Sequence, residues 1–221
     1  MMREIVPENA AVVEAFGDVA GASLLPEELQ YIERAVEKRR REFAAGRTCA
    51  RAALAQLGLP AVPILRGPQR EPLWPVDVIG SITHCEGYAA AVVARSGQLA
   101  AIGIDAEIDA PLPEDVIRLV GSREEQAAIA NLQRNGVCWD RLLFSAKESV
   151  FKAWFPVMQC WLDFLDVRLE FHPESQSFSA RLLRPARALE ERPFSCFHGR
   201  YAVGDGLVVT CTSVRAVVRE L

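Results

Sequence analysis

The 221-residue sequence has no C-x-x-C pair among its six cysteines, and it contains only three histidines. Zinc sites draw on closely spaced cysteine and histidine ligands, so we expect none here. Basic residues are not in excess either, because 25 Lys and Arg stand against 29 Asp and Glu, for a formal charge of −4. The strong positive charge of a duplex nucleic-acid binder is therefore missing, and no nucleic-acid partner is expected.

Long apolar runs are also missing at the start of the chain. Glu4, Glu8 and Glu14 interrupt the N-terminal segment, which argues against a signal peptide or a membrane-spanning helix there. No G-x-x-x-x-G-K-[ST], G-x-G-x-x-G or G-x-S-x-G motif occurs, which excludes the P-loop, the Rossmann fingerprint and the hydrolase nucleophile elbow. The interrupted N-terminal segment and the scattered cysteines together predict a reduced, cytoplasmic protein that has no membrane partner.

What the sequence does contain is an ordinary globular composition. Half of the residues are apolar and 24% are charged, which is enough for a buried core. The length fits one large domain or two small halves. A proline-bearing break at 109–113 and a faint echo between 87–89 and 199–202 favour two halves, which we place at 1–108 and 109–221.

Helical and extended patterns alternate along the chain. Apolar spacings of three, four and seven predict a helix or helix pair over 26–57, followed by an irregular, proline-rich connection over 60–75. Helices are also predicted over 114–134 and 139–155, the second ended by Pro156. Short strands are predicted at 78–83, 88–94, 99–105, 167–171, 177–183 and 207–214, the first three as a meander.

The first helical region carries a dense basic run from Lys38 to Arg41, followed by Arg47 and Arg51. At 100° per residue, Arg40, Arg47 and Arg51 fall close to one line along the helix. A run of this kind forms either a solvated face or a clamp for phosphate groups, and composition alone does not choose between them.

Two carboxylates follow an apolar strand at Asp105 and Glu107. The period of two in a strand places both on the same face, where like charges repel. A hard divalent cation would relieve that repulsion. Two solvated loop carboxylates are the alternative.

A polar stripe runs along the helix predicted over 139–155, formed by Ser145, Glu148, Ser149 and Lys152 among Phe, Leu, Val and Trp residues. Glu148 and Lys152 are i, i+4 neighbours, so an ordinary surface salt bridge is one interpretation. The other is a cleft in which three carboxylates and lysines hold Mg²⁺ and a phosphate substrate.

A third polar group lies at 80–85, where Ser81, Thr83 and His84 follow Gly80 near a strand end. Hydroxyls, backbone N–H groups and imidazole all bind phosphate. A lone histidine is as often a hydrogen-bonded structural residue, and that alternative stays open.

In order, these segments read GSITH at 80–84, GIDAE at 103–107 and FSAKESVFK at 144–152. The three resemble the ordered signatures of the 4′-phosphopantetheinyl transferase superfamily, of the Sfp/EntD type. The flanking segments at 38–40, 63–67, 71–75 and 152–156 are most similar to the actinobacterial PptT-type branch. The likeness runs from about Arg39 to Trp161 and is carried by the order of the three motifs together with the basic helix.

The resemblance implies an α+β fold, a pseudo-dimer of two similar α/β halves with the active site in the cleft between them. The N-terminal half would bind coenzyme A, and the C-terminal half would supply the catalytic helix and dock the carrier protein. The implied reaction transfers the 4′-phosphopantetheine arm of coenzyme A to a serine of an acyl or peptidyl carrier protein. Adenosine 3′,5′-bisphosphate is released, and the enzyme is expected to act as a monomer.

The resemblance also implies roles for individual residues. The ligands of Mg²⁺, with Mn²⁺ as an alternative, would be Asp105, Glu107 and Glu148. The catalytic set would be Glu148, Lys152 and His84, with Glu148 or a metal-bound water as the base. Lys147 and Lys152 would hold the pyrophosphate. Coenzyme A would further contact Arg39, Arg47, Arg66, Glu71, Pro72, Ser81, Thr83 and His84.

Two other functions remain open from the sequence. A metal-dependent phosphoesterase or nuclease would also use a D-x-E pair with a distant E-x-x-x-K, although Ile108 and Asp109 stand where a nuclease motif would place its lysine. A non-catalytic module that binds coenzyme A or a carrier protein would keep the arginines and His84, but it would not need three carboxylates.

Overall fold

The computed structural model describes residues 1–19, 21–132, 136–183 and 196–216. Its α-helices are α1 Met2–Ile5, α2 Glu37–Gln56, α3 Glu114–Val120, α4 Arg123–Ala130 and α5 Trp139–Met158. Short 3₁₀ turns occur at Pro26–Tyr31, Phe164–Asp166 and Pro173–Ser175. No helix in the part of the chain that the structure describes is long and apolar enough to cross a membrane.

The strands form three antiparallel groups. A three-stranded sheet has the order β1-β5-β4, a five-stranded sheet has the order β6-β10-β9-β8-β7, and β2 pairs with β3. The strands are β1 Ala10–Phe16, β2 Leu65–Arg66, β3 Pro72–Leu73, β4 Val78–Cys85, β5 Tyr88–Arg95, β6 Leu99–Ile108, β7 Val167–His172, β8 Ser177–Leu182, β9 Cys196–Gly204 and β10 Leu207–Arg215. Helices together with antiparallel sheets confirm the predicted α+β class.

Small side chains let α2 lie close to the three-stranded sheet. Ala50, Ala53 and Leu54 of α2 are fully buried against the alanine- and valine-rich strand β5. At Gly46, an added Cβ would come within 2.9 Å of the Ile82 side chain on β4. This close packing fixes the position of the basic face of α2 relative to β4.

The apolar side of α5 covers the five-stranded sheet. Leu142, Leu143, Ala146 and Val150 are fully buried in the core that the helix shares with β7, β8 and β9. The helix crosses β6 at Gly103, where an added Cβ would come within 2.1 Å of the Ser149 carbonyl oxygen. That contact places α5 directly beside the residues that follow Gly103 on β6.

The predicted meander over the first three strands is wrong at its third member. β6 does not pair with β5 but with β10, from Leu207 opposite Ile108 onward. It stays beside β4 through two side chains, because Ile104 N donates to Ser81 Oγ at 3.1 Å and Ala106 N donates to Thr83 Oγ1 at 3.0 Å. These two hydroxyls join the smaller sheet to the larger one.

Several predicted boundaries also change. The region 26–57 is a 3₁₀ turn followed by α2. The helix predicted over 114–134 is divided into α3 and α4 at Ser122, whose side chain caps α4. Residues 133–135 lie outside the described part of the chain. α5 continues past Pro156 by two residues, because a proline removes its own backbone N–H but leaves the following residues able to bond, as Gln159 N does to Phe155 O at 2.9 Å. The connection over 60–75 contains the short β2–β3 hairpin, and strands β1 and β9 were not predicted.

Candidate active site

A cavity of about 330 Å³ lies where α2, β4, β6 and α5 meet. Its lining combines arginines from one side with acidic residues and a lysine from the other: Arg39, Glu42, Phe43, Gly46, Arg47, Arg66, Arg70, Pro72, Ile82, Thr83, His84, Asp105, Glu107, Phe144, Glu148 and Lys152. A larger cavity of about 780 Å³ lies on another face of α2, and its lining includes none of the predicted site residues. We therefore treat the smaller cavity as the candidate site.

Asp105 forms the centre of the acidic end. The residue is 4% exposed, and its Oδ1 accepts a bond from Lys152 Nζ at 2.7 Å and another from Thr83 Oγ1 at 3.3 Å. The second oxygen, Oδ2, is buried and has no hydrogen-bond partner. A buried carboxylate oxygen without a partner is costly, and a bound cation would satisfy it.

Glu107 and Glu148 complete this end of the cavity. Burial and the neighbouring Asp105 charge raise the pKa of Glu107, although Arg141 Nη1 donates to its Oε2 at 3.0 Å. Burial also raises the pKa of Glu148, with Asp105 and Glu107 adding to the effect. Burial lowers the pKa of Lys152, but Asp105 and Glu148 more than offset this and raise it overall. The lysine is therefore positively charged among three carboxyl groups.

The oxygen donors fit a hard divalent cation, although they are not gathered around one point. Among the described residues, no three His, Cys, Asp or Glu side chains form a ready-made metal cluster. Lys152 and Arg141 each hold one carboxylate oxygen, of Asp105 and Glu107 respectively, at 2.7 and 3.0 Å. The unpartnered Asp105 Oδ2 is the atom that fits a metal best.

At the basic end, Arg39 fixes the state of His84. Arg39 Nη1 donates to His84 Nε2 at 2.7 Å, since a guanidinium has no acceptor, so neutral His84 carries its proton on Nδ1. Nδ1 lies 3.7 Å from Glu42 Oε2. Burial and then the Arg39 charge lower the pKa of His84 to about 4. The imidazole is therefore neutral near pH 7.

Two further arginines are held by aromatic rings. The guanidinium of Arg47 lies 4.3 Å above the Phe43 ring, and that of Arg66 lies 4.9 Å from the same ring and 5.8 Å from the Tyr31 ring. Arg47 is 5% exposed, its Nε has no hydrogen-bond partner, and burial lowers its pKa to about 10. A buried guanidinium with an unused donor calls for an anion.

Three predicted site residues do not line the cavity. The Ser81 hydroxyl is occupied by the backbone of β6, and Glu71 Oε2 accepts from Gln69 N at 2.9 Å beside a separate apolar cavity. Lys147 is 3% exposed and donates to Val120 O, Glu125 Oε2 and Phe164 O, all at 2.8 or 2.9 Å. With all three donors used inside the C-terminal core, this placement does not support a phosphate contact by Lys147.

The polar stripe of α5 is likewise only half in the site. Ser145 Oγ lies 3.0 Å from Thr210 Oγ1, and Ser149 Oγ lies 2.8 Å from Thr212 Oγ1, so both serines join α5 to β10. Glu148 and Lys152 face the cavity as expected for a cleft. The alternative of an ordinary surface ion pair between them does not hold, because Lys152 bonds to Asp105 on β6.

The sequence reasoning missed three residues near the site. Arg141 bonds Glu107 and also donates to Ala110 O at 2.9 Å, which ties the segment after β6 to α5. Its seven-residue spacing from Glu148, two helical turns, could have indicated the shared face. Glu42 follows Arg39 by three residues and could have been found in the same way. Phe43 carried no signal of its own.

Comparison with known proteins shows the family to which the chain belongs. The family model "4′-phosphopantetheinyl transferase N-terminal domain" matches residues 27–94, and the model "4′-phosphopantetheinyl transferase superfamily" matches residues 101–210. The 4′-phosphopantetheinyl transferase Svp of Streptomyces mobaraensis is 47% identical over 98% of this chain and 90% of its own length. The chain belongs to the 4′-phosphopantetheinyl transferase superfamily.

Other relatives support the same membership. The 4′-phosphopantetheinyl transferase PptT of Mycobacterium tuberculosis is 42% identical over 92% of this chain and 91% of its own length. Enterobactin synthase component D of Escherichia coli K12 is 37% identical over 55% of this chain. The expectation of an enzyme that transfers phosphopantetheine to carrier proteins is confirmed. In this 4′-phosphopantetheinyl transferase, the arginine end and the carboxylate end lie in one cavity.

Proposed function

We propose that the cavity binds coenzyme A together with Mg²⁺ and that the reaction releases adenosine 3′,5′-bisphosphate. One observation carries this. In the described part of the chain, the buried side-chain atoms without a hydrogen-bond partner are Arg47 Nε and Asp105 Oδ2, and both side chains line the cavity. One end therefore needs an anion and the other a cation. A phosphate-rich nucleotide with a divalent metal satisfies both.

The phosphates of coenzyme A would bind at the arginine end. Arg39, Arg47 and Arg66 supply charge, and Arg70 lies beside them in the lining. His84, held neutral, would contact a phosphate through a shift of its bond with Arg39, and Thr83 lies between the two ends. Pro72 would border the adenine from the β2–β3 hairpin. Contacts from Glu71 and Ser81 have no such support, because neither lines the cavity.

The metal would take oxygens from Asp105, Glu107 and Glu148, with Mn²⁺ as a substitute for Mg²⁺. When bound, such an ion neutralises phosphate charge as the leaving group separates. Lys152 now pairs with Asp105, and Arg141 pairs with Glu107. These two ion pairs mark where the site accommodates positive charge. Lys152 would then be free to turn toward the pyrophosphate.

The chain's own groups can carry the proton and charge transfers. The carrier serine oxygen would bond to the phosphorus that bears the pantetheine arm, as the bond from that phosphorus to the bridging pyrophosphate oxygen breaks. Glu148 would accept the serine proton, a role suited to a carboxylate whose pKa is raised by burial. Lys152 would stabilise the charge gained by the departing bisphosphate.

A shared arrangement supports the proposed pseudo-dimer with halves near 1–108 and 109–221. In each half, a buried glutamate lies before the long helix in sequence. Its carboxylate accepts a hydrogen bond from a backbone N–H at the start of the turn or helix that contains it. It also accepts a hydrogen bond from a basic side chain on the long helix. Glu28 does this with Arg51 on α2, and Glu125 does it with Lys147 on α5. Each also accepts a strand-side N–H at 2.8 Å, from Ile64 and Leu169.

The proposed monomer and cytoplasmic location have simpler support. The arginine and carboxylate ends of the cavity both come from one chain, so no second copy is needed to complete it. All six cysteines are free thiols, which suits a reducing compartment.

The test is incubation of the protein with coenzyme A, Mg²⁺ and an apo carrier protein, followed by mass spectrometry of the carrier. We expect the mass of one phosphopantetheine to appear on the carrier serine, and no gain on a carrier whose serine is replaced by alanine. An unchanged carrier at saturating coenzyme A and Mg²⁺ would overturn the proposal. Repeating the reaction with a chelator tests the metal requirement separately.

A further inference from the structure

Glu28 is a fully buried carboxylate outside the cavity that no part of the proposed reaction uses. Its oxygens accept bonds from Arg51 Nη1 at 2.8 and 3.0 Å, from Leu25 N at 2.9 Å and from Ile64 N at 2.8 Å. Arg51 also donates to the Ser23 carbonyl. One side chain thus joins three separate segments of the N-terminal half.

Each of those segments carries at least one residue of the aromatic–arginine stack, which we define as Tyr31, Phe43, Arg47 and Arg66. The 3₁₀ turn that contains Glu28 presents Tyr31, and the segment held at Ile64 leads two residues later to Arg66, which lies 5.8 Å from the Tyr31 ring. α2, which is held through Arg51, carries both Phe43 and Arg47, and the guanidinium of Arg47 lies 4.3 Å from the centre of the Phe43 ring. The stack that forms the basic wall of the cavity therefore depends on how these three segments are aligned.

The charge of Glu28 also acts on Arg47 directly. Burial lowers the pKa of Arg47, with Arg66 and Arg51 contributing, whereas the Glu28 carboxylate is the largest influence that opposes the change. Three arginines so close together repel one another. A buried negative charge behind them keeps them charged and in place.

We propose that Glu28 is a positioning residue for coenzyme A binding, which sets the geometry of Arg47 and Arg66 without touching the nucleotide. The inference rests on the proposed function, since it assumes that coenzyme A occupies the basic end. It predicts that Glu28 affects the affinity for coenzyme A and leaves the chemical step and the carrier site alone.

Glu125 supplies a matched control from the C-terminal half. It is 3% exposed, pairs with Lys147 at 2.8 Å, and accepts bonds from Ser122 N and Leu169 N. Its surroundings repeat those of Glu28 without any link to the arginine stack. Loss of charge at either glutamate should therefore lower stability, but only loss at Glu28 should weaken coenzyme A binding.

The experiment compares Glu28→Gln, Glu125→Gln and the wild-type protein by calorimetric titration with coenzyme A, steady-state kinetics and thermal unfolding. For Glu28→Gln, we expect Kd and KM for coenzyme A to rise about tenfold or more, with kcat and KM for the carrier within about twofold of wild type. For Glu125→Gln, we expect a similar fall in Tm and a Kd for coenzyme A within about twofold of wild type.

A Glu28→Gln protein that keeps wild-type affinity for coenzyme A while its Tm falls would overturn the inference alone. A wild-type protein that binds no coenzyme A would overturn the proposed function and this inference with it. If Glu28→Gln does not fold, Tyr31→Leu tests the alignment of the three segments instead, because it removes the ring of the 3₁₀ turn that lies beside Arg66. We expect it to raise Kd for coenzyme A about two- to fivefold with Tm near wild type, and an unchanged Kd would overturn the inference.

Discussion

Two lysines five residues apart on α5 have opposite environments. Lys152 faces the cavity and bonds Asp105, whereas Lys147 is enclosed by Val120, Glu125 and Phe164. At 100° per residue, a separation of five places side chains on different sides of a helix. At the scale of single residues, the two should therefore respond differently to replacement.

Lys152→Met should lower turnover by about two to three orders of magnitude, the scale of a lost preorganised electrostatic donor. Adding Glu148→Gln should cost much less than the product of the two single effects, because groups that act in one step are not additive. Steady-state transfer to a carrier serine measures both. Arg118→Met is the control, since Arg118 forms an exposed i, i+4 ion pair with Glu114 at 2.6 Å. Turnover of Lys152→Met at the level of this control would contradict the assignment.

Lys147→Met should instead act on stability. It leaves the buried Glu125 carboxylate without its cation, and removal of one partner of a buried pair costs about 3–5 kcal/mol. Denaturant unfolding measures the loss, and replacing Glu125 by Gln in the same protein should recover part of it. Lys38→Met, at an exposed pair with Glu86, should change the free energy of unfolding by less than about 1 kcal/mol. If Lys147→Met and Lys38→Met lowered the free energy of unfolding by equal amounts, the structural role of Lys147 would be contradicted.

His84 should make stability depend on pH. Its pKa falls from 6.5 in the unfolded chain to about 4 in the fold, so between these values the unfolded state binds more protons. The stability gained by burying neutral imidazole is present above pH 6.5 and is lost as the pH falls toward 4. Unfolding curves across this range should show a steeper loss for wild type than for His84→Gln. Parallel losses would show that His84 titrates normally.

The sequence could indicate which residue types matter, but not which way each side chain points. Asp105, Glu148 and Lys152 were predicted for the site and line the cavity together. Ser81 and Lys147 belong to the same motifs and yet bond within the fold. Neighbouring residues of a motif on a strand or helix point in different directions, and only tertiary packing decides which face lines the cavity and which is buried in the core.

At the scale of secondary-structure elements, the contact between α5 and β6 determines the acidic end of the site. Gly103 lets the backbone of α5 approach β6, and two residues further along the strand Asp105 meets Lys152. A side chain at Gly103 would push the helix away from the strand. The distance between these carboxylates and their lysine therefore depends on the absence of one Cβ.

Gly103→Ala should lower the free energy of unfolding by about 1–3 kcal/mol, the usual cost of overpacking, and should reduce turnover as well. Gly97→Ala is the matched control, because an added Cβ there meets nothing within 4 Å. Unfolding curves and transfer rates of the two variants test the contact. Gly103→Ala with wild-type stability and turnover would show that the helix does not sit as described.

Local patterns predicted the individual elements better than their pairing. Strand β5 and helix α5 were found because their apolar periods are strong. The partner of β6 is β10, about a hundred residues later, and no local signal links Asp105 to Thr210 opposite it. Strand β1 was missed because its Ala10–Phe16 segment was weighed only as a possible leader.

At the scale of the whole molecule, groups of opposite charge from distant parts of the chain meet in one cavity. Arginines on α2 and the β2–β3 region stand across from the carboxylates of β6 and α5. The sequence predicted both groups through the motif order, but their meeting in one cavity is a property of the tertiary fold. The central claim is that the two ends serve a single transfer reaction.

The most direct test of that claim is the ratio of two products in one reaction mixture. Wild-type protein, coenzyme A, Mg²⁺ and an apo carrier are combined, and adenosine 3′,5′-bisphosphate and phosphopantetheinyl carrier are quantified over time. The account predicts equal amounts of both at every time point and no bisphosphate when the carrier is left out. Release of bisphosphate without a carrier would show that water is the acceptor, as in a phosphoesterase, and would contradict the account.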